Sequence, residues 1–545
     1  MVARQFTYDH FKYDGTLENR AFLNGERVDR SRTNPQAIDT DRTRRMAAET
    51  KPYLLVTGAT GLLGRSLLRD LSWAGCRLAV LVRPNRAASG VERVDDLLSD
   101  WLEIAGEQIA VPVVLEGDIS SVDCGLSPEA IDWVSQNVGE VVHSAASLSF
   151  GFREADGEPY RSNVEGTKHV LALCERTGIR KLHYVSTAYV CGLREGVICE
   201  DELDVGQELG NDYEKSKIQS ERLVREAAFL DTLTVHRPSV IVGDLVTGFT
   251  NTFHGFYRPL RILQPVLAAL VENAVSDVAL IEELGMDGSE QKNLVPADWV
   301  SAVMARVILE PGLHGQTYHL TSQTPTSVDQ LRQVFSDLLL ERREQDRGRQ
   351  LGGEGAASLF SSEVLKKTFS DQMRTYSAYW KDDPTFDAAH RTRAVPDLPA
   401  PVLDEAALRR LCGFALEHNF TWAPKRERNP NGSARGLLER TLGAAKWSLP
   451  EGGFGLAAAG SGGGQWTIDA GGRSLHVGLP SGDAAVIYLA TGTLTALLTG
   501  QLDAAGARSS GQLAIEGGST AARHSAIEVL TRVMHAAQQL PASEV

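Results

Sequence analysis

Tyr53-Leu54-Leu55-Val56-Thr57-Gly58-Ala59-Thr60-Gly61-Leu62-Leu63-Gly64 reads as an apolar strand running straight into a glycine-rich turn. Leu67, Leu68 and Leu71 follow at helical spacing, so the turn opens an amphipathic helix. Glycines let the backbone come close to a pyrophosphate, and a helix N-terminus offers unpaired N–H groups and partial positive charge. Strand, turn and helix in this order therefore predict a dinucleotide phosphate site, with Gly58, Thr60, Gly61, Leu62, Leu63 and Gly64 as its contacts. A nucleotide-triphosphate loop is the rival, but five residues separate Gly58 from Gly64 instead of four, and Arg65 follows where a lysine belongs.

Downstream, short apolar runs at Tyr53 to Val56, Leu78 to Val82, Val111 to Leu115, Val141 to His143, Leu182 to Val185 and Thr234 to Arg237 are separated by amphipathic stretches. That alternation predicts an α/β fold, a Rossmann-type doubly wound parallel sheet covered on both faces. Residues 1–50 lack apolar periodicity and read as a polar N-terminal arm, with the dinucleotide-binding domain and its substrate subdomain over 51–425. The charge-dense stretch Glu341 to Arg349 and the glycines at 352, 353 and 355 read as a surface insertion. KRERNPNGSARG, around 426–436, has linker composition, and 437–545 reads as a smaller α+β domain. Within it, the uncharged stretch Ala484 to Leu502 carries too many Thr and Gly residues for a membrane span and is expected to be strand, turn and helix.

A chain of 545 residues exceeds one ordinary core, and 42% hydrophobic with 23% charged residues is a globular balance. The net charge of −15 disfavours nucleic acid and anionic membrane surfaces, which leaves a small molecule as the expected partner. Six scattered cysteines have no metal-finger spacing, so no metal is expected and a reducing cytoplasm suits them. No secretory segment opens the chain, which again predicts a cytoplasmic protein; peripheral membrane contact stays compatible with the sequence, and oligomeric state is open.

The second strand ends at Val82-Arg83, where NAD-selective sites place an acid against the ribose 2′-hydroxyl. Arg83 suits a 2′-phosphate instead, so NADPH is favoured over NADH. Tyr213 and Lys217, four apart, share one helix face. An ammonium beside a phenol is expected to lower its pKa toward neutrality, and Thr187, at a strand end, offers a hydroxyl to hold a carbonyl oxygen.

With these stand Gly117-Asp118-Ile119, Val142-His143-Ser144-Ala145-Ala146, Asn163-Val164-Glu165-Gly166-Thr167, Ser186-Thr187-Ala188-Tyr189-Val190, Tyr213-Glu214-Lys215-Ser216-Lys217 and Arg237-Pro238-Ser239. Together they resemble the extended short-chain dehydrogenases/reductases, especially the thioester-reductase and fatty-acyl-reductase branch, over residues 52 to about 425. The resemblance implies an NAD(P)-dependent oxidoreductase moving hydride to or from a carbonyl carbon. It implies Asp118 and Ile119 near adenine, Ala145 and Ala146 along the cofactor, and Pro238 and Ser239 near nicotinamide. Thr187, Tyr213 and Lys217 become the catalytic set, with Lys217 also on the nicotinamide ribose. Asn163 is expected either to take part or only to brace the loop, and His143 to be structural.

Trp466-Thr467-Ile468-Asp469, Ala485 to Ala490, Leu494 to Gly500 and Ser510 to Gly517 resemble a sterol-carrier-protein type 2 domain. That resemblance implies a lipid-binding domain that holds the apolar part of the substrate, with a packing module as the alternative. The expected substrate is accordingly lipophilic: a prenylated, polycyclic or lipid-like ketone or alcohol, in lipid or secondary metabolism. An acyl thioester such as acyl-CoA, giving aldehyde or alcohol, is the enzymatic alternative, and a dinucleotide-sensing lipid carrier the non-enzymatic one.

Overall fold

The computed structural model describes residues 53–421, with breaks at 86–87, 91–92, 95, 99–111, 151–156, 265–275 and 348–361, and most of 438–537. The expected N-terminal arm (1–50) and linker (426–436) lie outside the described residues.

Strand β1 (Tyr53–Thr57) is buried at every position, which only a central strand covered on both faces can be. It leads into α1 (Leu62–Trp73), then β2 (Arg77–Val82), β3 (Val113–Glu116), α2 (Pro128–Asn137), β4 (Val138–His143), α3 (Gly166–Thr177) and β5 (Lys181–Val185). Helix α4 (Asp212–Glu226), β6 (Thr232–Pro238), α5 (Ala297–Leu309) and β7 (Thr317–Leu320) complete the frame. The strands lie in the order β7-β6-β5-β4-β1-β2-β3 and every pairing is parallel.

Alternation along the strands splits the core in two. Val56, Val80 and Val142 face α1 and α5, where they meet Leu67, Leu71, Val300 and Met304. Leu55, Leu81 and Val141 face α2 and α3, against Ile131, Val134, Val170 and Leu173. Because the strand order reverses between β1 and β4, a crevice opens beyond the carboxyl ends of those two strands, where such sheets bind ligands.

All six expected strands are present, while β7 was not anticipated. Thr-Tyr-His-Leu is short and half polar, and its His319 is buried through hydrogen bonds instead of apolarity. The charged stretch from Glu341 is also a correction: helix Val328–Arg347 runs through it, so its first seven residues continue a helix and are not an insertion.

The second domain is a five-stranded mixed sheet formed by β8 (Phe454–Ala459), β9 (Gly464–Ile468), β10 (Leu475–Val477), β11 (Val486–Ala490) and β12 (Leu513–Glu516). Its order is β10-β9-β8-β11-β12, with β8 and β11 parallel. Helices α6 (Thr491–Leu498) and α7 (Thr520–Ala537) cover one face, onto which Leu456, Trp466, Ile487 and Leu489 point. Strand β11 runs straight into α6 where a turn was expected. Among the described residues no helix is long and apolar enough to cross a membrane.

Residues of the opposite face, Ala457 and Tyr488, join the first domain's core beside Tyr53, Trp133, Phe229 and Leu230. The Tyr53 hydroxyl donates to Glu516 across this contact. Tyr53 opens β1, and Phe229 and Leu230 precede β6, so the second domain is seated at the amino ends of the parallel strands. The crevice lies at their carboxyl ends.

Candidate active site

At the end of β1, Gly58 has φ +75°, and a Cβ there would lie 2.6 Å from the backbone nitrogen of Ala145. Only glycine permits both that conformation and the approach of the loop after β4. A Cβ on Gly64 would lie 2.1 Å from the Gly58 carbonyl oxygen, which seats α1 directly on the turn. Helix α1 begins after Gly61 with no side-chain cap, so its first N–H groups face the crevice. This bare, uncapped cradle fits a dinucleotide pyrophosphate.

Thr57 and His143, paired in register, hold the turn to β4. The Thr57 hydroxyl lies 2.8 Å from His143 Nδ1 and accepts from the Ala145 N–H at 3.2 Å. His143 Nε2 lies 3.1 Å from the Thr167 hydroxyl, and burial followed by the Lys217 charge lowers its pKa to about 3. It is therefore a neutral structural imidazole, bonded to the same Thr57 hydroxyl that holds Ala145 against the glycine turn.

Arg83 is exposed at the end of β2, with its guanidinium 3.7 Å from the Asp118 carboxylate. Arg93, which sequence reasoning missed, donates to the Arg83 carbonyl at 2.6 Å and to the Thr60 hydroxyl at 2.8 Å. Two guanidinium groups thus flank the corner where the adenine ribose would lie, ten residues apart, with no motif to mark the second. Ile119 packs on Gly166 of α3, where a Cβ would come within 2.8 Å of its Cδ1.

Helix α4 is capped by Asn211, whose side chain accepts from the Glu214 N–H, and it carries Tyr213 and Lys217 one turn apart. A buried ion pair locks this helix to β6, with Arg237 Nε and a terminal nitrogen donating to the two Glu221 carboxylate oxygens at 3.1 and 2.6 Å. The adjacent Pro238 carbonyl accepts from the Thr187 hydroxyl at 3.4 Å. The Ser239 hydroxyl is buried without a partner among the described residues, an unmet polar group that suits a cofactor amide. Thr187, Tyr213, Lys217, Pro238 and Ser239 are thereby gathered at one end of β5 and β6.

Thr187 is near enough to the Tyr213 phenol to favour its ionised form, a smaller effect than burial. The expected lowering of its pKa by Lys217 is corrected: burial dominates and raises the phenol to about 12. The ammonium is turned elsewhere, donating to the Val185 carbonyl at 2.8 Å and the Tyr184 hydroxyl at 3.0 Å. Burial also lowers Lys217 to about 7. Asn163 is fully occupied as a brace. It exchanges hydrogen bonds with the Ser147 backbone at 2.7 and 3.0 Å and donates to Ser216 at 2.8 Å.

An aromatic wall, also missed in the sequence, stands beside Tyr213. Phe150 meets the Tyr213, Tyr376 and Tyr379 rings at centroid distances of 5.7, 5.1 and 5.8 Å. Tyr376 and Tyr379 arrive from more than 160 residues away, so no local pattern announces them.

A family model described as "Male sterility protein", an NAD-binding family, matches residues 56–304. Glycine betaine reductase ATRR of Emericella nidulans is 28% identical over 305 residues, which are 52% of this chain and 22% of that protein. Fatty acyl-CoA reductase wat of Drosophila melanogaster is 25% identical over 287 residues, 46% of this chain and 53% of its own. The chain therefore spans about a fifth to a half of these two curated relatives' lengths. Among solved structures, the terminal R domain from the myxalamid PKS-NRPS biosynthetic pathway matches with TM-score 0.52 and 25% identity, covering 69% of this chain and 93% of that one.

Proposed function

We propose that this chain, an NAD(P)-dependent reductase of the extended short-chain type, reduces an apolar acyl thioester to the aldehyde or alcohol and takes its hydride from NADPH. The observation that carries the reading is the two-part lining beside Tyr213. The Phe150, Tyr376 and Tyr379 wall suits an acyl chain, and a basic segment lies next to it. Gly255 N–H donates to the Tyr376 hydroxyl at 3.4 Å, and Asn251 donates to the Thr60 carbonyl at 3.2 Å, so this segment bridges the aromatic wall and the glycine turn. It carries His254, Arg258 and Arg261 close together: burial and then the two arginine charges push His254 below its ordinary value. On a chain of net charge −15, such a positive face suits the phosphates of a coenzyme-type thioester. The name of the fatty acyl-CoA reductase supports the same substrate class.

Bound NADPH supplies the hydride. Thr187 and Tyr213 hold the thioester carbonyl oxygen, and Tyr213 provides the proton that the oxygen needs as its carbon becomes tetrahedral. A phenol at about 12 stays protonated at neutral pH, so the proton is present on Tyr213 when the substrate binds. Lys217 leaves Val185 and Tyr184 to bind the nicotinamide ribose. The tetrahedral carbon then expels thiol, and the aldehyde remains. Arg83 and Arg93 bind the 2′-phosphate.

The second domain, with its resemblance to sterol carriers, is read as a docked module that does not line the reacting centre, since it is seated at the far ends of the strands. The experiment is a substrate panel on the full chain, with NADPH oxidation and free thiol measured together. Long-chain acyl-CoA is expected to give one thiol per aldehyde formed and to outrun the matching phosphate-free acyl-N-acetylcysteamine by tenfold or more in kcat/KM. Turnover of polycyclic ketones with no turnover of thioesters would overturn the reading.

A further inference from the structure

The geometry points to a divalent-cation site of the zinc class formed by Glu140, His183 and His314, away from the reductase centre. Each of the three offers a ligand atom, and these atoms all lie within 4.8 Å of one another. Glu140 comes from β4 and His183 from β5, while His314 lies in the connection between α5 and β7. His183 and Val185 share the sheet face covered by α5, whose end supplies the rest of the site.

The distances come near those a bound cation would impose. His183 Nε2 lies 3.7 Å from a Glu140 carboxylate oxygen. Two ligands about 2.1 Å from one zinc at a tetrahedral angle would lie roughly 3.4 Å apart. The His183 and His314 rings meet edge to face with centroids 4.6 Å apart, close enough for both to reach one ion. The outer hydrogen bonds are also those that orient metal-bound imidazoles. His314 Nε2 donates to the Ile308 carbonyl at 3.1 Å, which leaves Nδ1 with its lone pair. His183 Nδ1 faces His236 Nε2 at 3.5 Å, which leaves Nε2 toward Glu140.

The charge balance favours a cation. Ile308 is the penultimate residue of α5, so a helix C-terminus with its partial negative charge borders the site. Glu140 supplies the carboxylate of the set. The groups facing it are Lys181, which donates to its other oxygen at 2.9 Å and is exposed enough to swing away, His236, and the buried Cys76 thiol. Two histidines and a glutamate with a fourth position left to water make a zinc-type donor set. Bound there, the ion would clamp the α5–β7 connection to β4 and β5. It would act on stability, because Glu140 and His183 lie within β4 and β5 and His314 precedes β7, whereas the catalytic residues gather beyond the carboxyl ends of β5 and β6.

The test uses the untagged full chain, stripped with EDTA and titrated with zinc chloride against a chromophoric chelator. One tightly bound equivalent is expected, with a rise of several degrees in Tm and no change in reductase turnover. Glu140→Gln and His314→Asn should each weaken binding at least tenfold and abolish the rise in Tm. Cobalt chloride provides a readout on the unmutated protein, as a four-coordinate site gives strong visible absorption. Absence of a stoichiometric equivalent, a cobalt spectrum of the hydrated ion, or binding unchanged in both variants would overturn the assignment. Because turnover without zinc is expected to persist, failure here is distinct from failure of the reductase reading.

Discussion

Arg83 and Arg93 show what one residue can reveal and what it hides. Arg83 was legible because it closes a strand at a position where charge discriminates cofactors. Arg93 was not, because only the folded loop brings it to Thr60 and to the Arg83 carbonyl. A charge-assisted contact to a phosphate contributes about 1.5–3 kcal/mol. Arg83→Ala and Arg93→Ala are each expected to weaken NADPH by about tenfold or more while leaving NADH within twofold, as read by cofactor fluorescence titration. Equal losses for both cofactors would remove the 2′-phosphate role. Tyr213 and Lys217 were legible as a pair, but their electrostatics were not: spacing promised mutual influence, and burial overrode it. The pH consequence follows from Lys217, which burial lowers to about 7. As pH rises through that value the ammonium is lost, so cofactor affinity should fall between pH 6.5 and 8.5. The fold should gain stability over the same range, since the unfolded lysine keeps its proton longer. A flat affinity profile across that range would detach Lys217 from cofactor binding.

At the scale of elements, strand and turn chemistry carried far. The run from Tyr53 to Gly64 states its structure in full: a strand too apolar for an edge, glycines where a Cβ would strike Ala145 or the Gly58 carbonyl, and leucines at helical spacing. The six apolar strands were readable for the same reason. What was missed gains its burial through polar pairing or from distant parts of the chain. Strand β7 hides His319 by hydrogen bonding its ring to the Asp387 carbonyl. The helix through Glu341 is amphipathic with a charged outer face, which in sequence resembles a loop. The aromatic wall joins Phe150 to Tyr376 and Tyr379 across a sequence gap that no periodicity bridges. The proposed zinc-type ligands likewise come from two strands and the α5–β7 connection, so spacing could not expose them.

At the scale of the whole molecule, the second domain was expected to hold the apolar part of the substrate. Its contact surface meets Tyr53, Trp133, Phe229 and Leu230, at the opposite ends of the strands from Gly58 and Tyr213. Apolar surface stabilises by about 25 cal/mol per Å² buried, so uncovering this surface destabilises the first domain. Removal of residues 437–545 is therefore expected to lower Tm and solubility while leaving the long-to-short substrate ratio of kcat/KM within about twofold. A tenfold fall in that ratio, with the truncated protein folded by circular dichroism, would return the domain to substrate binding.

The central claim is that this site delivers hydride to a thioester carbonyl while Tyr213 handles the proton. The most direct measurement uses NADPH carrying deuterium at the transferable C4 position, a long-chain acyl-CoA, and mass analysis of the product. The account predicts one deuterium on the former carbonyl carbon of the aldehyde, or two on that of the alcohol, with one thiol released per acyl group. In the Tyr213→Phe protein the same product should form at a rate lower by about 10²-fold, the usual scale for loss of a positioned acid. NADPH oxidation that leaves no deuterium on that carbon, or a Tyr213→Phe protein that keeps its rate, would contradict it.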